Sequence, residues 1–127
     1  LLAAEERITG TYDAVGPVMP FQMAIGEIAG AVAPQGTQLV SVQESVLEKL
    51  EINPWGGPRS LPLWLPKDFA KMTGRDVSAA LAGGLRQRPL AETALDSLEY
   101  ERGLGLDRPR KAGLSPAEEQ EVLTAVG

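Results

Sequence analysis

Proline and glycine recur so often in this chain that they limit the length of every element it can form. The sequence has 127 residues, with 14 Gly and 10 Pro. The densest stretch is NPWGGPRSLPLWLP, residues 53–66, which holds four prolines, two glycines and both tryptophans. This composition predicts a loop, and loops of this length in compact domains are often binding loops or segments that pack against another lobe. We therefore expect one domain over residues 1–127, built from short elements.

Hydrophobic spacing predicts two helices and two short strands in the first half. Over residues 21–33 the apolar positions recur at i, i+4, i+7 and i+11, and they are Phe21, Ile25, Ile28 and Val32. Alternating patterns predict strands at residues 9–17 and 37–42. Ser41 and Glu44 have the spacing of a capping box, so a second helix is expected from residue 42 or 43 to about residue 50.

The second half predicts three more helices. Asp76 is placed to cap a short helix that runs to Ala82 and ends at Gly83 and Gly84. Residues 85–88 precede a proline and are expected to be extended. A longer helix follows, with an apolar face formed by Leu90, Ala94, Leu95 and Leu98. The last helix begins at Ser115-Pro116-Ala117-Glu118, which combines an N-cap, a proline in the first turn and a capping box.

The composition excludes several function classes. There is no Cys and no His, so disulfides, thiolate metal sites and Ser-His catalysis are ruled out. The net charge is -5 and the basic residues are scattered among acids, so nucleic acid is not an expected partner. The helical part of the longest charge-poor stretch is only residues 21–33, whereas a membrane span needs about 20 residues. We expect a cytoplasmic protein with no membrane partner, in keeping with the lack of cysteine.

The amino end shows no targeting signal, and the glycines near the end of the second half do not indicate a cofactor site. The amino end, LLAAEERITG, has no signal-peptide pattern and is expected to be the tail of a helix. Gly103-Leu104-Gly105 lacks the third glycine of a dinucleotide fingerprint and follows a helix, so we interpret it as a linker. The chain alone is expected to bind neither a nucleotide cofactor nor a metal.

Four side chains are candidates for a binding site on chemical grounds. Arg86 and Arg88 lie two residues apart and could hold a carboxylate or a diphosphate, for which a guanidinium is the suitable donor. Alternatively, they form ion pairs with Glu92 or Asp96. Trp55 and Trp64 could form the wall of a pocket. The alternative for Trp64 is a place in the core, whereas Trp55, beside two glycines, is the better candidate for an exposed wall.

Three stretches together resemble the carboxy-terminal, substrate-binding lobe of extended short-chain dehydrogenase/reductases, the NAD-dependent epimerase/dehydratase group. TGTYDAVGP resembles the segment that enters this lobe, and NPWGGPRSLPLWLP resembles the Trp- and Pro-rich loop of a reductase-like bacterial subgroup. DVSAALAGGLRQRPLAETALDSLEYE and GLSPAEEQEVL resemble the helices that complete it. The sequence departs from the family pattern at Ala79, Gln87 and Tyr100, where Arg, an aromatic residue and Trp are expected.

The resemblance implies an α/β (α+β) fold: a small, mostly helical lobe with a few short strands, the C-terminal part of a Rossmann-type epimerase/dehydratase. It implies a small-molecule substrate bound by Trp55, Arg59, Trp64, Arg86 and Arg88. The glycine-rich loop and the catalytic Tyr-x-x-x-Lys of the family are absent from this sequence, since Gly16 follows Tyr12 and Leu104 follows Tyr100 at that spacing. NAD(P) and the catalytic residues would therefore belong to a nucleotide-binding lobe that this chain lacks.

Two functional hypotheses follow. In the first, the chain is the substrate-binding lobe of an NAD(P)-dependent oxidoreductase or epimerase and is inactive alone. Its surface at Leu1, Leu2 and residues 14–23 should then be apolar and exposed, which favours self-association. In the second, the chain is a free-standing interaction module that binds a protein or peptide through residues 53–66.

Overall fold

A computed structural model describes residues 2–72 and 74–127 and contains mainly helices. Within these residues the α-helices are α1 (Leu2–Glu5), α2 (Phe21–Val32), α3 (Glu44–Lys49), α4 (Ser78–Ala82), α5 (Leu90–Leu104) and α6 (Pro116–Val126). A 3-10 helix spans Lys67–Met72, and two short strands, β1 (Asn53–Pro54) and β2 (Ser60–Leu61), complete the set. This is the mixed, mostly helical composition of a small α+β fold.

The chain divides into two compact units. The first unit consists of Leu1–Gln35 and Lys71–Tyr100, and the second of Gly36–Ala70 and Glu101–Gly127. The first therefore holds α1, α2, α4 and most of α5, and the second holds α3, both strands and α6. Each unit is formed from two separate stretches of sequence.

Helix α2 in the first unit is where the sequence predicted it, and it packs little. It begins after Pro20, whose carbonyl accepts the N–H groups of Met23 and Ala24. It ends at Val32, with Ala33 as its C-cap, just before Pro34, which cannot continue the hydrogen-bond ladder. None of the residues of α2 is buried, although most of them are apolar.

The end of α4 has the geometry that the glycine pair predicted. Gly84 N–H donates to the Leu81 carbonyl at 3.0 Å and Leu85 N–H to the Ala80 carbonyl at 2.9 Å, which is a Schellman motif with Gly84 in the left-handed conformation. At the other end, an Asp76 carboxylate oxygen accepts the Ser78 N–H at 2.9 Å. The N-cap of α4 is Val77, so Asp76 is not the N-cap residue, although its carboxylate accepts the N–H of the first helical residue.

The second unit has a small apolar core between α3 and α6. Leu47, Ile52 and Val122 are buried together, and partly buried residues pack around them: Val42, Leu50, Leu61, Trp64 and Leu114. Helix α6 begins as predicted, because the Ser115 hydroxyl accepts the Glu118 N–H and the Glu118 carboxylate accepts the Ser115 N–H. The capping box therefore fixes the helix that supplies Val122.

Three local predictions were wrong. Residues 9–17 and 37–42 form no strand, because alternation marks a face of a strand but does not supply a neighbouring strand to pair with. Ser41 does not cap α3. The N-cap is Gln43, so Glu44 is the first residue of the helix, whereas a capping box needs Glu or Gln at the third.

The chain exposes more surface than compact units of its size. Its accessible surface is 10060 Å² for a mass of 13.5 kDa. Two compact domains of half this mass, wholly separate from one another, would together expose about 7,900 Å². Four apolar residues of the described chain are buried, namely Leu47, Ile52, Ala80 and Val122. Much of the apolar surface of the chain is therefore uncovered.

Candidate functional site

The candidate site is built on residues 53–59, which form a loop closed at its base and are called the Trp55 loop below. Asn53 N–H donates to the Arg59 carbonyl at 2.8 Å, and the Asn53 side-chain amide donates to the Pro58 carbonyl at 3.2 Å. The flanking strands β1 and β2 pair in parallel, with Asn53 opposite Ser60 and Pro54 opposite Leu61. The sequence predicted a loop here but not its closure.

Trp55 lies in this loop in an unusual backbone conformation. Its φ is 68°, and Gly56 N–H donates to the Pro54 carbonyl at 2.8 Å, so Trp55 is the central residue of a three-residue γ-turn. Its own N–H donates to the Trp64 carbonyl at 3.2 Å. The side chain is 65% exposed. Residues held in rarely populated backbone conformations cluster at functional sites, which makes Trp55 the candidate residue of this loop.

Arg59 ties the base of the Trp55 loop to two helices. Its Nε donates to the Leu50 carbonyl at the end of α3 at 2.9 Å. In α6, Nη2 donates to a Glu121 carboxylate oxygen at 2.9 Å, and Nη1 lies 3.6 Å from Glu118. The hydrogen bond to Glu121, aided by the charge of Glu118, raises the pKa of the Arg59 guanidinium. All three nitrogens of the guanidinium thus face partners within the second unit.

Ser60 fixes the other side of the loop. It is completely buried, and its hydroxyl donates to the Gly57 carbonyl at 2.6 Å and accepts the Gly113 N–H at 3.0 Å. The Ser60 N–H donates in turn to the Gly113 carbonyl at 3.2 Å. The sequence gives no sign of this role, because a serine between an arginine and a leucine carries no motif.

Trp64 is partly buried and packs against the core of Leu47, Ile52 and Val122. The expectation that it belongs to the core is confirmed. It still contributes to the candidate site through its backbone, since its carbonyl accepts the Trp55 N–H. Trp55, Arg59 and Trp64 therefore come together in the second unit, as parts of one hydrogen-bonded structure.

Arg86 and Arg88 belong to the first unit, and only Arg88 forms an ion pair. Arg88 Nη2 lies 2.6 Å from an Asp96 carboxylate oxygen, and Nε lies 3.8 Å from Glu92, so the ion-pair alternative is confirmed for this residue. The hydrogen bond to Asp96 raises the pKa of Arg88. Arg86 is exposed and has no hydrogen bond or ion pair with the described residues. Gln87, between the two arginines, donates to the Val15 carbonyl at 2.8 Å and anchors the segment.

The second unit contains another charged cluster, which no sequence motif predicts. Arg108 Nη2 donates to both carboxylate oxygens of Glu101 at 2.7 Å, and Arg110 Nη1 donates to one of them at 2.7 Å. The hydrogen bond from Arg110, together with the Arg108 charge, lowers the pKa of Glu101. Glu101 lies in α5 and the two arginines lie beyond its end, across an irregular turn, so helical periodicity could not predict the cluster. It has the geometry of a structural brace for that turn.

The glycines at the end of α5 do not fit a nucleotide diphosphate. Gly103 lies inside α5, Leu104 is its last residue and Gly105 follows directly, so they terminate a helix rather than join a strand to one. Across residues 2–72 and 74–127, no group of three or more acidic side chains is arranged to hold a metal ion. In the same part of the chain, no helix has the length and hydrophobicity to cross a membrane.

No protein-family model matches the chain, and no curated protein and no solved structure matches it.

Proposed function

We propose that the chain is the substrate-binding lobe of an NAD(P)-dependent oxidoreductase or epimerase, and that it is inactive without a nucleotide-binding lobe. The observation that carries this proposal is the uncovered apolar surface at the start of α2. Val18, Phe21 and Met23 are 74%, 52% and 57% exposed, and no residue of α2 is buried. Such a surface in a folded protein is usually covered by a partner.

The position of this surface supports the assignment. It falls within residues 14–23, the region that the resemblance assigns to the boundary with the nucleotide-binding lobe. Leu2 lies in α1, and its side chain and Leu1 lie outside the described residues, so the support comes from residues 14–23 alone. An apolar surface at any other place would not distinguish a lobe of this family from an ordinary oligomer.

The chain's own contribution would be binding and orientation. Within the second unit, Trp55 would contact the substrate, and Arg59 and Trp64 would hold the loop that carries it. The orientation of bound substrate against the reacting group is a large part of the catalytic effect of an enzyme. Hydride transfer is the chemistry that NAD(P) supplies when bound, and the catalytic Tyr and Lys belong with it on the other lobe.

Two measurements test the proposal. An antibody raised against α6 should detect a species well above 13.5 kDa in the source cells, and that longer protein should bind NADH or NADPH. The recombinant 127-residue chain, assayed with either cofactor and a panel of carbonyl compounds, should show no turnover. A native species of 13.5 kDa, or turnover by the short chain, would reject the proposal.

A free-standing interaction module is the second candidate, and the exposed Trp55 in a braced loop favours it. Exposed tryptophans held by rigid backbone are typical anchors of protein interfaces. This candidate predicts a native species of 13.5 kDa and a protein partner whose binding is lost in Trp55→Ala but not in Arg86→Ala. The mass measurement thus separates the two functions.

A further inference from the structure

The three nitrogens of Arg59 are directed to internal partners, which changes the substrate-binding role that the family resemblance implied for it. Nε binds the Leu50 carbonyl, Nη2 binds Glu121, and Nη1 faces Glu118. A guanidinium that binds a carboxylate or phosphate of a ligand needs two donors side by side and a positive charge that is not already neutralised. In Arg59 the two carboxylates of α6 already balance that charge.

Trp55 has the opposite environment. Its ring is largely exposed, and a Cβ atom added at either neighbouring glycine, Gly56 or Gly57, would meet no atom within 4 Å. The ring is therefore accessible to a ligand, and no atom crowds the Cβ position of either glycine. An indole ring offers a flat apolar face at low conformational cost, since two torsions define its position.

The Trp55 loop links these two residues. Arg59 supplies the carbonyl that accepts the Asn53 N–H and so closes the loop on which Trp55 lies. Both residues have positive φ, 68° at Trp55 and 51° at Arg59, and such conformations persist only where the surrounding structure holds them. At Arg59 the holding contacts are the side-chain bonds to α3 and α6.

We infer that Arg59 is a positioning residue, which holds the Trp55 loop closed so that Trp55 is fixed as the ring that contacts substrate. Because substrate is taken as the ligand, this role rests on the proposed function. Arg59 itself touches no substrate and acts through the loop backbone. The specificity of the site would then lie in the flat face of Trp55 and the open space beside Gly56.

The test measures the motion of the Trp55 ring with no substrate or cofactor present, so its result is independent of whether the longer enzyme exists. In a Trp64→Phe background, Trp55 is the single tryptophan and its fluorescence anisotropy decay reports the ring alone. Arg59→Ala should lower the order parameter of the ring by about 0.2, because the motion of the opened loop backbone adds to the torsional motion of the exposed side chain. Far-UV circular dichroism checks that each variant is folded.

Two matched controls separate positioning from general stability. Val122→Ala removes core volume from the same unit and lowers its melting temperature, yet it should leave ring motion unchanged at temperatures where the protein is folded. Arg88→Ala removes an ion-paired arginine of the first unit and should also leave the ring unchanged. If Arg59→Ala does not fold, Arg59→Lys carries the test, since Lys keeps the charge but lacks the Nε donor to Leu50. Ring motion in the folded Arg59 variant equal to that in the controls would overturn the inference.

Discussion

The Ile52 N–H donates to the Leu47 carbonyl at 2.9 Å, and both side chains are buried in the same core. Together with the bond from Glu51 N–H to the Glu48 carbonyl at 3.1 Å, this is a Schellman motif that ends α3 and joins it to the Trp55 loop. The left-handed position of the motif, with φ of 54°, is occupied by Glu51 rather than by glycine. The helix end that supports the candidate site is therefore strained.

Glu51→Gly should stabilise the protein. The left-handed conformation costs a non-glycine residue about 1–2 kcal/mol, and part of that gain is offset because glycine makes the unfolded chain more flexible. We expect a net increase of about 0.5 kcal/mol in the free energy of unfolding, measured by urea denaturation. Glu48→Gly is the control, because it places glycine inside α3 and should destabilise by about 1 kcal/mol. Loss of stability in both variants would contradict the strain at Glu51.

Gly56 and Gly57 should respond differently to alanine. An added Cβ would meet no atom within 4 Å at either position, so space is the same for both. Gly57 has φ of 84°, which alanine adopts at a cost of about 1 kcal/mol, whereas Gly56 is not in the left-handed region. We expect Gly57→Ala to lower the free energy of unfolding by about that amount and Gly56→Ala to leave it within about 0.5 kcal/mol. Equal effects would mean that the left-handed conformation of Gly57 is not maintained in solution.

Ser60→Ala should destabilise the second unit more than a typical surface change. The buried hydroxyl bridges the Gly57 carbonyl and the Gly113 N–H, and its removal leaves both backbone groups without that partner. An unsatisfied buried polar group costs about 1–3 kcal/mol. Ser97→Ala is the control: Ser97 is exposed on α5 and its hydroxyl donates to the Thr93 carbonyl one turn earlier. If Ser60→Ala loses less free energy of unfolding than Ser97→Ala, water replaces the hydroxyl that joins Gly57 to Gly113.

Protonation of Glu118 should lower the stability of the protein at acid pH. The hydrogen bond from the Ser115 N–H, aided by the charge of Arg59, lowers the pKa of Glu118 from its ordinary value of 4.5. A carboxyl whose pKa is lower in the folded state stabilises the fold above its unfolded pKa, and this contribution is lost as pH falls through the folded value. Melting temperature should therefore decline as pH falls below about 4.5, and less steeply in Glu118→Gln.

The neighbouring residue provides the control for this titration. Glu119→Gln removes the same charge from the same turn of α6, and no side-chain hydrogen bond to Glu119 is found among residues 2–72 and 74–127. Below about pH 4.5 the melting temperature of Glu119→Gln should fall as steeply as that of the unmodified protein. An equal flattening in both variants would assign the effect to net charge rather than to the capping box and the Arg59 contact.

The sequence predicted the structure correctly where the residues that determine it lie close together in the chain. The Ser115 capping box, the Gly83–Gly84 helix end and the extent of α2 each depend on residues a few positions apart, and all three were found. The Arg59 network could not be predicted in this way, because Arg59 and Glu121 are 62 positions apart and meet only when the unit folds. The γ-turn at Trp55 was missed for another reason: tryptophan has no preference for positive φ, and the surrounding bonds impose it.

The 127-residue chain should self-associate through residues 18–23. Val18, Phe21 and Met23 expose apolar surface that nothing within their own unit buries, and association removes such surface from water. Light scattering should give a mass of at least twice 13.5 kDa, and a Val18→Ser, Phe21→Ser, Met23→Ser triple variant should return to 13.5 kDa. Trp55→Ser removes an equally exposed aromatic side chain from the second unit and should leave the mass unchanged. A monomer before any substitution would show that this surface has no affinity for a second copy.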